Sequence, residues 1–166
     1  MGIGEPLAAE LKQEAATTRR MLERVPEDKF SWKPHEKSMP LGRLAGHLAE
    51  LPSLLGFAFD SDEFDFAVGE FKPFQPASVA ELLERFDRNV SEGVERLRGE
   101  PDERMGQPWR MMSSGRVIFE LPRAAVARGM VLNHIVHHRG QLSVYLRLLD
   151  VPLPSVYGPT ADTPIV

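Results

Sequence analysis

Apolar residues recur at steps of three and four in four stretches of the chain, the spacing that lines one face of an α-helix. In the first, residues 5–24, Leu7, Leu11, Ala15, Thr18, Leu22 and Val25 form a narrow stripe, and Pro26 ends it. The second, residues 40–59, places Leu44, His47, Leu48, Leu51 and Leu55 on one face. Pro52 lies inside this run and predicts a kink or a break. The third, residues 77–98, repeats Val79, Leu82, Phe86, Val90, Gly93 and Leu97, with Ser78 as its N-cap. The fourth, residues 122–150, turns Ala127, Val131, His134, His138, Leu142, Tyr145 and Leu149 inward, and Pro152 and Pro154 stop it.

The links between these stretches carry their own signals. Residues 27–40 are polar and contain Phe30 and Trp32, which are expected to fold back as a lid on the core. Ser38 reads as the N-cap of the second helix, with Pro40 in its first turn. Residues 60–76 are acidic and aromatic, with Phe64, Phe66, Phe71 and Phe74, and read as an irregular loop against the end of the bundle. Within residues 105–121, Trp109, Met111 and Met112 precede Ser113-Ser114-Gly115, and Val117, Ile118 and Phe119 follow, the pattern of a short β-hairpin. Residues 153–159 should lie extended along the surface. The expected fold is therefore all-α: one domain over residues 1–166, a four-helix bundle with a short hairpin before the last helix.

Composition narrows the chemistry. The chain has 166 residues, enough to bury a core without disulfide staples, and it contains no cysteine. Any transition-metal site must then use His, Asp or Glu. The formal charge is -4 with Lys and Arg scattered, so no basic surface for nucleic acid is expected. No apolar run reaches the roughly 20 residues of a membrane span, and residues 1–5 lack the pattern of a signal peptide. A cytoplasmic location is the expectation.

Histidine carries the strongest signal. His134 and His138 are four residues apart on an apolar helical face, so their imidazoles lie one turn apart and can converge on one ion. His47 occupies the same kind of position on the second helix, between Leu44 and Leu51. Three nitrogens from two helices make a three-histidine divalent-metal site with open positions, the arrangement of a catalytic ion. Histidine ligation alone suits zinc, nickel, iron or copper. His137 competes with His138 for the ligand role, but it points about 100° away and the inward stripe favours His138. His35 reads as solvated. Glu50 could serve as a general base, Gln141 or Asn133 could hydrogen-bond a ligand or water, and Arg139 could hold an anionic substrate group. Each of these also has a plain surface or interhelical reading. The sequence holds no Gly-rich phosphate loop and no nucleophile elbow, and its histidine helix lacks the glutamate of a zincin.

The run Asn133-His134-Ile135-Val136-His137-His138-Arg139-Gly140-Gln141-Leu142, with Leu44-Ala45-Gly46-His47-Leu48, resembles the DinB-like superfamily (DinB/YfiT-type metalloenzymes). Trp32-Lys33-Pro34 with Ser38, and residues 154–162, are similar as well, so the resemblance spans essentially the whole chain. It implies a four-helix bundle of variant up-and-down topology, zinc or nickel on His47, His134 and His138, and a homodimer. It also implies a metal-dependent thiol S-transferase using a low-molecular-weight thiol, or a hydrolase. Two rivals remain: a non-enzymatic metal-containing structural or ligand-binding stress protein, and a helical interaction module without metal.

Overall fold

The inward stripes form helices where their spacing placed them. In the computed structural model, which describes residues 2–68 and 72–164, α1 spans Gly4–Leu22 and buries Leu7, Leu11, Ala15, Thr18 and Leu22. Helix α2 spans Leu41–Glu50; a single 3-10 turn, Leu51–Ser53, then carries Pro52, and α3 resumes over Leu54–Asp60. The expected interruption thus falls at the proline, which lacks the N–H that would continue the helix. Helix α4 spans Val79–Gly99. Ser78 caps it, its hydroxyl accepting from Glu81 N at 3.1 Å, while Glu81 Oε2 accepts from Ala77 N at 2.7 Å. A five-residue helix, α5, follows over Asp102–Gly106.

The start of α2 departs from expectation. Ser38 does not cap it; Pro40 occupies the N-cap position, and no side chain caps there. Instead the lid supplies the acceptors: Leu41 N donates to Trp32 O at 2.8 Å and Gly42 N to Phe30 O at 2.9 Å. Backbone carbonyls satisfy the orphan N–H groups, so no hydroxyl is required. Phe30 and Trp32 themselves are half-buried against the core, as a lid should be.

The hairpin is present, as β2 (Pro108–Ser113) and β3 (Arg116–Pro122), antiparallel, with a bulge at Met111/Met112. Ser114 and Gly115 turn the chain with φ of 51° and 74°, the left-handed pair that a tight hairpin requires. The 60–76 link is not wholly irregular. Glu63–Asp65 forms a third strand, β1, parallel to β2, so the order is β1-β2-β3. Asp65 locks it in place by accepting N–H bonds from Ala67, Ser114 and Gly115 at 2.9, 3.0 and 2.8 Å. These bonds, that from Gly115 foremost, hold its carboxyl below the ordinary carboxylate range. Phe71 of this link lies outside the described residues.

The last helical run is continuous but not uniform. It begins as α6 (Arg123–Val126), widens into a π turn over Ala127–Asn133, and returns to α as α7 (His134–Leu148). The π turn takes more residues per revolution, and it rotates the buried face. Ile135, Arg139, Leu142 and Leu146 are buried, while His134, Tyr145 and Leu149 of the expected stripe lie only half-buried at its edge.

The protein is mostly helical, with this small three-stranded sheet at one end. Helix α1 packs on α4 and α7, and α2 packs on the same two, so Leu11, Leu22, Leu44, Leu48, Phe86, Ile135 and Leu142 share one core. The sheet is anchored by Trp109, buried, whose Nε1–H donates to Phe57 O at 3.0 Å. Arg123, with no exposure, joins the sheet end to α3 by donating to Ala58 O, Ser61 O and Asp62 Oδ1. Burial lowers its pKa, and Asp62 counters the loss. Arg123→Met keeps the apolar stem but strands these acceptors. A loss of about 3 kcal/mol of stability is expected, read as an earlier urea midpoint at unchanged slope.

Candidate metal centre

Each histidine reaches the site because its helix is pinned behind it. His47 lies on α2 two residues past Ala45 and one before Leu48, both fully buried, which turns this face inward. His134 opens α7 directly after the π turn, and His138 follows one turn later. The ring centroids lie 5.1 Å apart for His47 and His134, 4.6 Å for His47 and His138, and 4.6 Å for His134 and His138. One ligand atom from each falls within 4.8 Å of the others. His134 Nε2 lies 3.5 Å from His47 Nε2 and 2.8 Å from His138 Nε2.

The opposite ring nitrogens decide what these close approaches mean. His138 Nδ1 lies 2.7 Å from Gln141 Oε1, and His134 Nδ1 lies 3.3 Å from Met130 O. His47 Nδ1, buried and without a hydrogen bond, faces Glu50 Oε2 at 3.6 Å. Every Nδ1 therefore looks at an oxygen that can only accept, an arrangement that favours a proton on Nδ1 and leaves Nε2 as the free lone pair. Three Nε2 lone pairs are left facing one another. A proton on His138 does not relieve them near neutrality, because burial, followed by the other histidines, pushes it down to about 4 against the favourable bond from Gln141. Burial, followed by the charge of His47, lowers His134 as well.

A cation fits this donor set. A tetrahedral zinc at about 2.0–2.1 Å from each nitrogen would separate neighbouring nitrogens by about 3.3 Å, and the 3.5 and 2.8 Å separations bracket that spacing. The three histidines could thus hold one ion with a position to spare.

The supporting residues fall out differently from their sequence readings. Glu50 is not a solvated base: it is buried, and Arg43 Nη1 donates to its Oε2 at 2.9 Å while Phe74 N donates to its Oε1. Burial raises its pKa, but His47, Phe74 N and Arg43 together outweigh burial and hold it low. It stands behind His47 rather than over the open side. Gly46 makes this possible, since a Cβ there would sit 2.6 Å from Phe74 O and push the link off α2. Arg139 turns away from the site altogether. It is 2% exposed, pairs with Glu14 Oε2 at 2.7 Å, and donates to Thr18 Oγ1 at 3.2 Å and to Tyr157 Oη at 2.6 Å. The rotation of α7 by the π turn sends it toward α1.

Gln141 is brought in, as a ligand's partner. Its Oε1 accepts from His138 while its Nε2 lies 3.1 Å from His137 Nε2, so one amide ties the two rings together. His137 is exposed and outside the cluster, so the choice of His138 over it agrees with the geometry. His35 and Asn133 are exposed. The carbonyl of Met130 was not foreseen; the only sequence signal was its place four residues before His134.

A family model described as the DinB superfamily matches residues 10–142. This chain belongs to the DinB superfamily. A DinB-like protein from Bacillus cereus ATCC 10987 superposes on it with a TM-score of 0.72 at 21% identity, over 91% of this chain and 95% of that one. A DinB-like protein from Bacillus subtilis, YjoA, does so with a TM-score of 0.69 at 19% identity, over 90% and 96%. At these identities the likeness establishes a DinB-like fold. No curated protein matches the chain.

Two outcomes follow for this DinB-superfamily site. Gln141→Ala removes the acceptor that fixes the His138 tautomer and should weaken metal affinity about 10–100-fold, with Gln141→Glu recovering much of it in competition against a chromophoric chelator. The second concerns the metal-free protein. Unfolded histidine binds protons below its ordinary 6.5, whereas folded His138 resists until about 4. Its contribution is present above 6.5 and is lost as pH falls toward 4. Urea midpoints measured from pH 7 to 4 should therefore drop more steeply for the wild type than for His138→Asn.

Proposed function

We propose that this DinB-superfamily protein is a metal-dependent enzyme that binds one divalent ion, zinc or nickel, through His47, His134 and His138. The observation that carries the reading is the set of three converging Nε2 lone pairs, each with its Nδ1 turned to an acceptor. A three-ligand set leaves room for a reactant, which separates a catalytic site from a closed structural one. When bound, such an ion would lower the pKa of a thiol or a water molecule toward neutrality. The chain's own part is to keep the three imidazoles oriented: Gln141 holds His138, Met130 O holds His134, and Glu50 backs His47.

The reaction on this reading is thiol S-transfer with a low-molecular-weight thiol, or hydrolysis. Helices α1, α2, α4 and α7 are taken as the four members of a bundle, in one domain over residues 1–166, working as a homodimer in the cytoplasm. No helix of the described residues is long and apolar enough to cross a membrane.

One observation favours a second reading, a metal-containing structural or ligand-binding protein. Glu50, the base candidate, is committed to Arg43, Phe74 N and the Nδ1 side of His47, so it does not face a reactant. The two readings part experimentally. Elemental mass spectrometry of gently purified protein should find about one zinc or nickel per chain, lost in His47→Ala and in His138→Ala. A cobalt-loaded sample whose d–d spectrum shifts on adding small thiols supports the enzyme, and an inert spectrum supports the structural protein. Stoichiometric metal surviving both substitutions would remove the site from consideration.

A further inference from the structure

The break at Pro52 opens a second feature that shares no residue with the histidine cluster. Between α3 and α4 lies a cavity of about 420 Å³ lined by Pro52, Ser53, Gly56, Asp60, Asn89 and Glu92, among others. From α4 come Asn89, Glu92, Gly93 and Arg96, at steps of three, four and seven, which is one helical face. Facing them are Ser53, Gly56 and Asp60, again three and four apart. A second cavity of about 310 Å³ adjoins it, sharing Ser53, Gly56 and Asp60 and adding Phe57.

We propose that this cleft binds a small linear organic cation with a primary ammonium group, of the diamine class. Asn89 is the first reason. It is only 6% exposed, and its Nδ2 donates to Ala49 O at 2.7 Å. That bond fixes the amide orientation, because the reversed amide would set oxygen against oxygen. Its Oδ1 is left without a donor among the described residues and is not sealed off, so it opens onto the cavity its residue lines. A half-used amide on a nearly buried side chain needs a donor from outside the chain.

Charge is the second reason. Asp60, Glu92 and Glu95 line the cavity against a single guanidinium, Arg96. Arg96 is already engaged, donating to Asp60 Oδ1 and lying 3.5 Å from Glu100 Oε1. The remaining field is negative and has a hydrogen-bond acceptor at its floor, which suits an ammonium with three donors and repels an anion. Phe57 is the third reason. Its ring is partly exposed at 36% and lines the adjoining cavity, where an aromatic face attracts a second cationic group. An alkyl spacer between two ammonium groups would lie along Gly56, which carries no side chain of its own and has Asp60 Oδ2 beside it.

The test uses the full chain and 1,4-diaminobutane, followed by calorimetry and by amide chemical shifts in 0.15 M salt. Saturable binding is expected, with shifts centred on Gly56, Asn89 and Gly93. Glu92→Gln, at an exposed helix position, should weaken it by about five-fold, and Phe57→Leu should weaken the diamine more than 1-aminobutane. The neutral 1,4-butanediol should not bind. No saturable binding, equal binding of the diol, or full displacement by millimolar magnesium would overturn the proposal, the last because it would mark a diffuse acidic surface. Unchanged affinity in a folded Glu92→Gln, checked by its melting curve, would overturn it as well.

Discussion

Three histidine nitrogens held within one ion's reach, with burial opposing a proton on His134 and His138, impose the main constraint on this fold. Imidazoles left to themselves would rotate until a donor met an acceptor. Here they cannot, because each Nδ1 is turned toward an oxygen and the rings sit on helices that are packed behind them. The unfavourable approach is sustained by the core, and the surroundings are arranged so that a cation relieves it. That division of labour, apolar packing supplying position and outer hydrogen bonds supplying the tautomer, is what a preorganised metal site requires.

Two irregularities make the arrangement possible. The π turn over Ala127–Asn133 rotates α7 so that His134 and His138 face α2 while Arg139 is carried round to α1. A uniform α-helix would have spread the buried face differently, and the buried guanidinium would have lacked Glu14. The 3-10 turn at Leu51–Ser53 ends α2 soon after its histidine, and Glu50 is the last residue of that helix. The end position lets its carboxylate take the Phe74 N–H of the returning link as well as Arg43. The irregular backbone is thus concentrated beside the site, a common companion of function in helical proteins.

How much of this was legible in the sequence depends on the range of the interaction. The helices and the break at Pro52 were readable because they rest on local periodicity and on proline's missing N–H. The clustering of His47, His134 and His138 was readable because all three sit on apolar stripes where an imidazole needs a partner. Three features were not. The strand Glu63–Asp65 has only three residues, too few for a period, and exists because Asp65 meets a hairpin turn some fifty positions away. The capping of α2 by Trp32 O and Phe30 O replaced Ser38 through backbone atoms that carry no sequence signature. The roles of Glu50 and Arg139 were set by long-range packing: a polar side chain on a helix looks solvated until the element that covers it is known.

The proline break also separates two chemistries that would otherwise interfere. On one side of it, converging imidazoles could take a cation that accepts nitrogen ligands; on the other, Asn89 and the carboxylates of Asp60 and Glu92 suit the proposed cation that brings its own hydrogens. The carbonyl of Ala49, just before that break, is the acceptor that orients the Asn89 amide. The turn at Pro52 therefore marks both the end of the histidine helix and the start of the cleft beyond it. A divalent ion would find only a mixed, partly neutralised carboxylate rim in that cleft, since Asp60 is held by Arg96. On the readings proposed above, the histidines would take a transition metal and the acidic cleft would take cations that carry their own N–H donors.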